Sequence, residues 1–154
     1  VRLLDYTPAH QPDFKRLNVE WIETYFRLEE KDVLSLDNPQ SYILDRGGHI
    51  LLAQYGPEIV GVVALLKLDG DTFELAKMAV SPRAQGKGVG EMLGRAAIGK
   101  ARSLGARKIY LESNTRLKPA LNLYHKLGFR KVTGHPSPYE RCNIQMELPL
   151  AESL

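Results

Sequence analysis

The sequence predicts an α/β fold in which helices cover both faces of one sheet. Apolar, β-branched runs alternate with segments whose apolar residues recur every three or four positions. Glycine and proline punctuate nearly every junction between them. A chain of 154 residues with 44% apolar content supports one core and is short for two, so a single domain over 1–154 is expected.

Arg2 to Tyr6 reads as a short strand, and Thr7-Pro-Ala opens a helix with a capping residue and proline in its first turn. Phe14, Leu17, Trp21, Ile22, Tyr25 and Phe26 then give one apolar face through about Leu28, so Trp21, Tyr25 and Phe26 are expected mostly in the core. Asp37-Asn-Pro-Gln starts a second short helix through Leu44, closed by Gly47-Gly48. Ile50 to Tyr55 and Ile59 to Leu68 form a hairpin across Gly56-Pro57-Glu58, and Asp69-Gly70-Asp71 turns into the strand Phe73 to Val80.

From Lys87 to Leu104 apolar residues repeat at helical spacing up to Gly105. Gly94 and Gly99 inside this helix each cost up to about 1 kcal/mol relative to alanine, which implies close packing against the sheet. Lys108 to Ser113 is a strand, Lys118-Pro119 begins the last helix, and Leu127-Gly128-Phe129 closes it into a further strand. Gly134 to Tyr139 is a proline-rich loop before a final strand, Cys142 to Leu148. The element order is β-α-α-β-β-β-α-β-α-β-β.

The net charge of +3 is mild, and basic residues are scattered among acidic ones. That pattern excludes a nucleic-acid footprint and suits a polyanionic cofactor no better than it suits many soluble domains. Apolar runs are too short to span a bilayer, and Val1-Arg-Leu-Leu-Asp-Tyr6 breaks too early for a secretory signal. Cys142 is the single cysteine and cannot form an internal disulfide. A cytoplasmic protein is the expectation. His10, His49, His125 and His135 have no i,i+4 pairing and no thiol partner, so no metal site is expected, and His125 is expected at the surface. Cys142 reads as a buried inert thiol, and there is no G-x-S-x-G elbow.

The most informative stretch is Met78-Ala-Val-Ser-Pro-Arg83-Ala-Gln85-Gly86-Lys87-Gly88-Val89-Gly90, which leaves an apolar strand and enters an amphipathic helix. Alternate glycines leave no side chains between main-chain N–H groups and an approaching anion. The unpaired donors and dipole of the following helix favour a pyrophosphate, with Arg83 and Lys87 able to add charge. The dinucleotide fingerprint would need its third glycine at Glu91, and the triphosphate loop needs Ser or Thr after Gly-Lys. Both patterns fail.

What remains, Arg83-x-x-Gly86-x-Gly88 after Val-Ser-Pro, resembles the acetyl-coenzyme A loop of the GNAT N-acetyltransferase superfamily. Ala120-Leu-Asn-Leu-Tyr124-His-Lys-Leu-Gly128-Phe129 is similar to that family's Ala-x-x-Leu-Tyr-x-Lys-x-Gly-Phe segment. The resemblance covers the C-terminal half well and the N-terminal half only by element order.

It implies a mixed, mostly antiparallel sheet whose fourth and fifth strands splay, with the pantetheine arm of acetyl-coenzyme A pairing with the backbone of Met78, Ala79 and Val80. Arg83, Gln85, Gly86, Lys87, Gly88, Val89 and Gly90 would hold the diphosphate, with further contacts from Asn114 and Ala120. The family often has asparagine where this chain has Leu117. Glu74 is the implied general base, with Glu112 as its substitute, and Tyr124 the implied acid at the thiol. A backbone N–H near Met78 or Ala79 would meet the oxyanion. The implied reaction is direct acetyl transfer to a primary amine in a ternary complex, by default on a small molecule, with no metal. The contrasting reading is a non-catalytic acyl-coenzyme A binding module. Relatives often dimerise through C-terminal strands, so a homodimer is possible.

Overall fold

The computed structural model of the chain describes residues 1–134 and 136–150. His135, in the proline-rich loop, and 151–154, the last residues of the expected domain, lie outside the described residues. The elements are β1 (Arg2–Asp5), α1 (Gln11–Tyr25), α2 (Glu30–Asp37), α3 (Pro39–Tyr42), β2 (His49–Tyr55), β3 (Glu58–Lys67), β4 (Thr72–Val80), α4 (Val89–Ser103), β5 (Lys108–Ser113), α5 (Lys118–Leu127), β6 (Arg130–Val132) and β7 (Ile144–Pro149).

Three N-terminal details differ from the sequence reading. α1 stops at Tyr25, and Trp21, Tyr25 and Phe26 are half-buried or exposed rather than core. The segment expected as one helix from Asp37 splits into α3 and a short 3-10 turn ended by Gly47 at φ 88°. α2 was not expected at all. Its buried residues are Asp32 and Leu36, so a carboxylate occupies a position where periodicity needs an apolar side chain. Asp32 accepts the backbone N–H of Glu29 at 2.9 Å, the reach-back bond of an acid three residues into a helix.

Among the described residues the strands form one sheet in the order β1-β2-β3-β4-β5-β7-β6. Every neighbouring pair is antiparallel except β4 with β5. The sheet is therefore mixed and mostly antiparallel, as expected. Alternation along the strands divides the core. Val62, Ala64 and Ala79 face Phe14, Leu17 and Leu36 on the α1–α2 side. Val63, Leu65, Phe73 and Leu75 face Val89, Leu93 and Ala97 of α4 on the other.

The feature that positions the site is where β4 and β5 part. Their parallel register runs from Thr72 opposite Lys108 to Leu75 opposite Leu111 and stops. Beyond it β4 stays with β3, while β5 carries on with β7 through Glu112 and Ser113. The β3–β4 ladder shifts register between Val62 and Ala64, so one β3 residue faces both Lys77 and Met78, and Lys77 takes φ 55°. This bulge bends β4 further from β5.

Of Gly94 and Gly99, only the first is explained by packing. A Cβ on Gly94 would lie 2.7 Å from Leu127 Cδ1 of α5 and 3.8 Å from Met78 Cε of β4, so the tight approach there is to α5. Gly99 has no atom within 4 Å of such a Cβ. Gly48 is the tightest position, where a Cβ would stand 2.5 Å from the Leu65 carbonyl and 2.7 Å from that of Ile43. Two backbone segments would have to separate. Gly48→Ala should lower stability by about 1–3 kcal/mol, seen as an earlier midpoint in urea. Gly99→Ala should raise it by up to about 1 kcal/mol in the same titration.

Candidate active site

The glycine loop is open. After Val80 the chain makes a 3-10 turn, Pro82–Ala84, and Gln85 to Gly88 are exposed. Gly86 and Gly88 have φ of 76° and 80°, and no atom lies within 4 Å of a Cβ built on either. Side chains there would be strained and would project into the open space over the loop. Gly88 caps α4, its carbonyl accepting the Met92 N–H at 3.0 Å, so the first-turn N–H groups have no intrahelical acceptor. This cradle fits a diphosphate.

The side chains of the loop divide by role. Gln85 Nε2 donates to the Val80 carbonyl at 3.2 Å and pins the loop to the end of β4. Arg83 turns to the β2–β3 turn and pairs with Glu58, whereas Lys87 is exposed. Val89 is buried in the core below the loop, leaving only its backbone for a ligand. A Cβ on Gly90 of α4 would make ordinary contact with Leu123 Cδ2 of α5 at 3.4 Å. Glu91 ties the same two helices by bonding Arg95 at 2.9 Å and Lys126 of α5 at 2.7 Å.

Below the loop, the gap between β4 and β5 opens into a cleft lined by Met78, Glu74, Glu112 and Tyr124. Trp21 of α1 and Phe26 just after it form one wall, and Tyr139 and Arg141, from the segment before β7, form another. Ala79 is buried against α1 and α2 and its side chain does not line the cleft, so it can offer a ligand backbone only. Asn114 lines the cleft, donating to the Arg141 carbonyl at 2.8 Å and accepting the Arg116 N–H at 2.9 Å. Leu117 also lines it, and Ala120 lies in the first turn of α5. His125 is exposed, as expected. Cys142 is half-buried against the cleft and precedes β7 instead of starting it.

The two glutamates are held differently. Glu112 accepts hydrogen bonds from the Tyr110 and Ser137 hydroxyls, each at 2.8 Å. Burial and this bond push the Tyr110 phenol above its ordinary range. Glu74 faces the cleft, and its pKa is pushed up to about 7 by burial and then by the nearby Glu112 charge, with Lys77 pulling the other way. Burial also pushes the Tyr124 phenol up to about 12, and its ring packs edge-on to Phe129 at 6.1 Å.

Sequence reading missed a third group, a buried ion cluster beside the cleft. Asp32 is fully buried and accepts a two-pronged pair from Arg141, at 2.7 and 2.6 Å, and a bond from Lys77 at 2.9 Å. Arg141 also bonds Glu29 at 3.1 Å. Lys77 donates to the Tyr139 hydroxyl at 3.2 Å, and the Arg141 guanidinium lies 4.4 Å from the Tyr139 ring centroid. Burial alone would raise the Asp32 carboxyl, but Arg141 and Lys77 outweigh it and hold the pKa down at about 2. The available signal was a lysine at the centre of an otherwise apolar stretch of β4, Leu75-Ala-Lys77-Met-Ala79.

Comparison with known proteins agrees with this geometry. Residues 12–129 match the family model described as Acetyltransferase (GNAT) family. The chain is 33% identical over 114 residues to the N-acetyltransferase YjgM of Escherichia coli, an alignment covering 68% of this chain and 66% of that protein. It is 38% identical over 102 residues to the N-acetyltransferase YvbK of Bacillus subtilis, covering 64% of this chain and again 66% of that protein. The matched region thus spans about two thirds of the length of these relatives. Among solved structures, a GNAT-family acetyltransferase from Staphylococcus aureus superposes with TM-score 0.89 at 21% identity, over 97% of this chain and 99% of that one. A Salmonella typhimurium acetyltransferase determined with its cofactor acetyl-CoA gives TM-score 0.75 at 20% identity, over 99% and 95% of the two chains. Cradle, parted strands and family match all lead to one assignment: the chain belongs to the GNAT acetyltransferase family.

Proposed function

We propose that the chain transfers the acetyl group of acetyl-coenzyme A to a primary amine of a small molecule, both bound at once, with Glu74 as base and Tyr124 as acid. The observation that carries this reading is Glu74 itself, a carboxylate with pKa near 7 facing the cleft where β4 and β5 part, beneath an open phosphate cradle. Acetyl-coenzyme A would supply the activated acyl group as a thioester. The bound cofactor of the Salmonella typhimurium neighbour supports the choice.

Each residue then has a physical task. The N–H groups of Gly86 to Gly90 and the N-terminal end of α4 attract the diphosphate. The β5-facing edge of β4 from Ala76 to Val80 is left without a partner strand and can pair with an amide-bearing arm as an added strand. An alkyl ammonium with pKa of about 10.4 is deprotonated to about one part in two thousand at pH 7, so taking its proton is worth roughly 4–5 kcal/mol. Glu74 with a pKa near 7 takes that proton more readily than an ordinary carboxylate. Tyr124 stays a neutral phenol, a hydrogen-bond donor to the departing sulfur across the physiological range. Charge building on the acetyl oxygen would be met by a backbone N–H at Met78 or Ala79, where the bulge interrupts the ladder to β3. The cleft's aromatic wall of Trp21, Phe26 and Tyr139 favours a compact organic acceptor.

Incubation with acetyl-coenzyme A and an amine panel, following released thiol, tests the reaction. Wild-type kcat should fall on the acid side of about pH 7 as Glu74 protonates. Glu74→Gln should lose that limb and about 100-fold or more in kcat. Tyr124→Phe should lower kcat roughly tenfold or more and leave coenzyme affinity unchanged in calorimetry. Gly88→Val, forced to a positive φ with its side chain over the cradle, should weaken coenzyme A binding at least about tenfold.

Stability should show the same group independently. The folded chain keeps the Glu74 proton up to about pH 7, whereas the unfolded chain releases it near the ordinary carboxylate value. Stability from this group is therefore present at low pH and lost as pH rises through that window. Glu74→Gln should stabilise the protein at pH 8 by up to about 3 kcal/mol and by nothing at pH 4, read from urea unfolding at the two pH values.

A further inference from the structure

The charged side chains lining the cleft are Glu74, Glu112, Lys77 and Arg141. Counted by themselves they cancel, and a zwitterionic acceptor would seem as welcome as a simple amine. The ion cluster changes that. Both cations are already committed on their far side, Lys77 to Asp32 and Arg141 to Asp32 and Glu29. Side chains of Lys77 and Arg141 are only 7% and 17% exposed, so neither can swing out to a ligand without leaving Asp32 bare in the interior. Asp32 and Glu29 do not line the cleft. The two cations and these two acids form a neutral block behind the wall, and the acids facing the ligand are Glu74, which Lys77 offsets only in part, and Glu112, which is held by the Tyr110 and Ser137 hydroxyls.

Resting on the transferase reading above, we propose that Asp32 sets the acceptor class: by neutralising Lys77 and Arg141 from behind, it leaves a cleft that takes an ammonium flanked by apolar carbon and refuses one that carries a carboxylate on the adjacent carbon. An α-carboxylate beside the reacting nitrogen would stand against Glu74 and Glu112, and both cations among the described cleft-lining residues are already paired with acids. Trp21, Phe26 and Tyr139 suit the apolar portion; Arg116 already lies over the Phe26 ring and Lys77 and Arg141 over Tyr139, which leaves the Trp21 ring to attract the cationic nitrogen. The substrate class is therefore amines of the arylalkyl kind rather than amino acids.

Phenethylamine and phenylalanine differ by that one carboxylate and form the test. With acetyl-coenzyme A present, thiol release should give phenethylamine a kcat/KM at least tenfold above phenylalanine. Trp21 is the chain's single tryptophan and lines the cleft, so its fluorescence reports acceptor binding without turnover. With coenzyme A bound, phenethylamine should change that signal at a concentration at least tenfold below phenylalanine. Asp32→Asn, which releases positive charge toward the cleft, should cut both preferences tenfold or more. The wild-type comparison decides the matter even where the variant folds poorly. Equal response to the two compounds, a reversed preference, or none to either overturns the inference. A clear binding preference with no thiol released on any acceptor overturns the transferase reading instead and leaves the ligand class in place.

Discussion

The short parallel contact between β4 and β5 is the constraint on which the rest of the molecule depends. Four residue pairs hold the strands together, and then each follows a different partner, β4 to β3 and β5 to β7. Parallel pairing needs a crossover connection, and here the crossover is α4, whose N-terminus carries the glycine cradle. One topological choice therefore supplies both a gap in the sheet and an anion site at its head. A fully zipped pair would leave β4 no open edge and would bury Glu74 without access to a ligand.

Opening a sheet exposes backbone and removes cross-strand support, and the chain compensates beside the gap with charge. Withdrawing Asp32, Lys77 and Arg141 from water costs several kcal/mol per ion, recovered only when geometry and hydrogen bonding are close to ideal. The fork of Arg141 on both Asp32 oxygens, with Lys77 and the Glu29 N–H added, meets that requirement. The cluster joins α2, the β4 bulge and the segment before β7. It gives the wall opposite the coenzyme side a fixed shape and fixed electrostatics.

Legibility in the sequence followed the range of the interactions involved. The glycine turn into α4, the α5 segment and the hairpins rest on local spacing and turn chemistry, and they appear where spacing placed them. α2 escaped because its inward residue is Asp32, whose partners lie 45 and 109 positions away in sequence. Gly99 misled for the opposite reason, since a helical glycine signals close packing only when something stands above it, and nothing does. Glu74 and Tyr124 could be named from the family pattern, but the lift of Glu74 toward neutrality comes first from its burial and then from Glu112, held beside it by Tyr110 and Ser137. No local pattern contains that arrangement.

The near-contact of Gly94 with Leu127 makes α4 and α5 parts of a single mechanical unit. One helix begins at the cradle and the other carries the cleft tyrosine, so a displacement started at this seam would be inherited at both ends. Evolutionary drift at either position would then be tolerated only in concert, and the grip on the coenzyme would change together with the alignment of its sulfur.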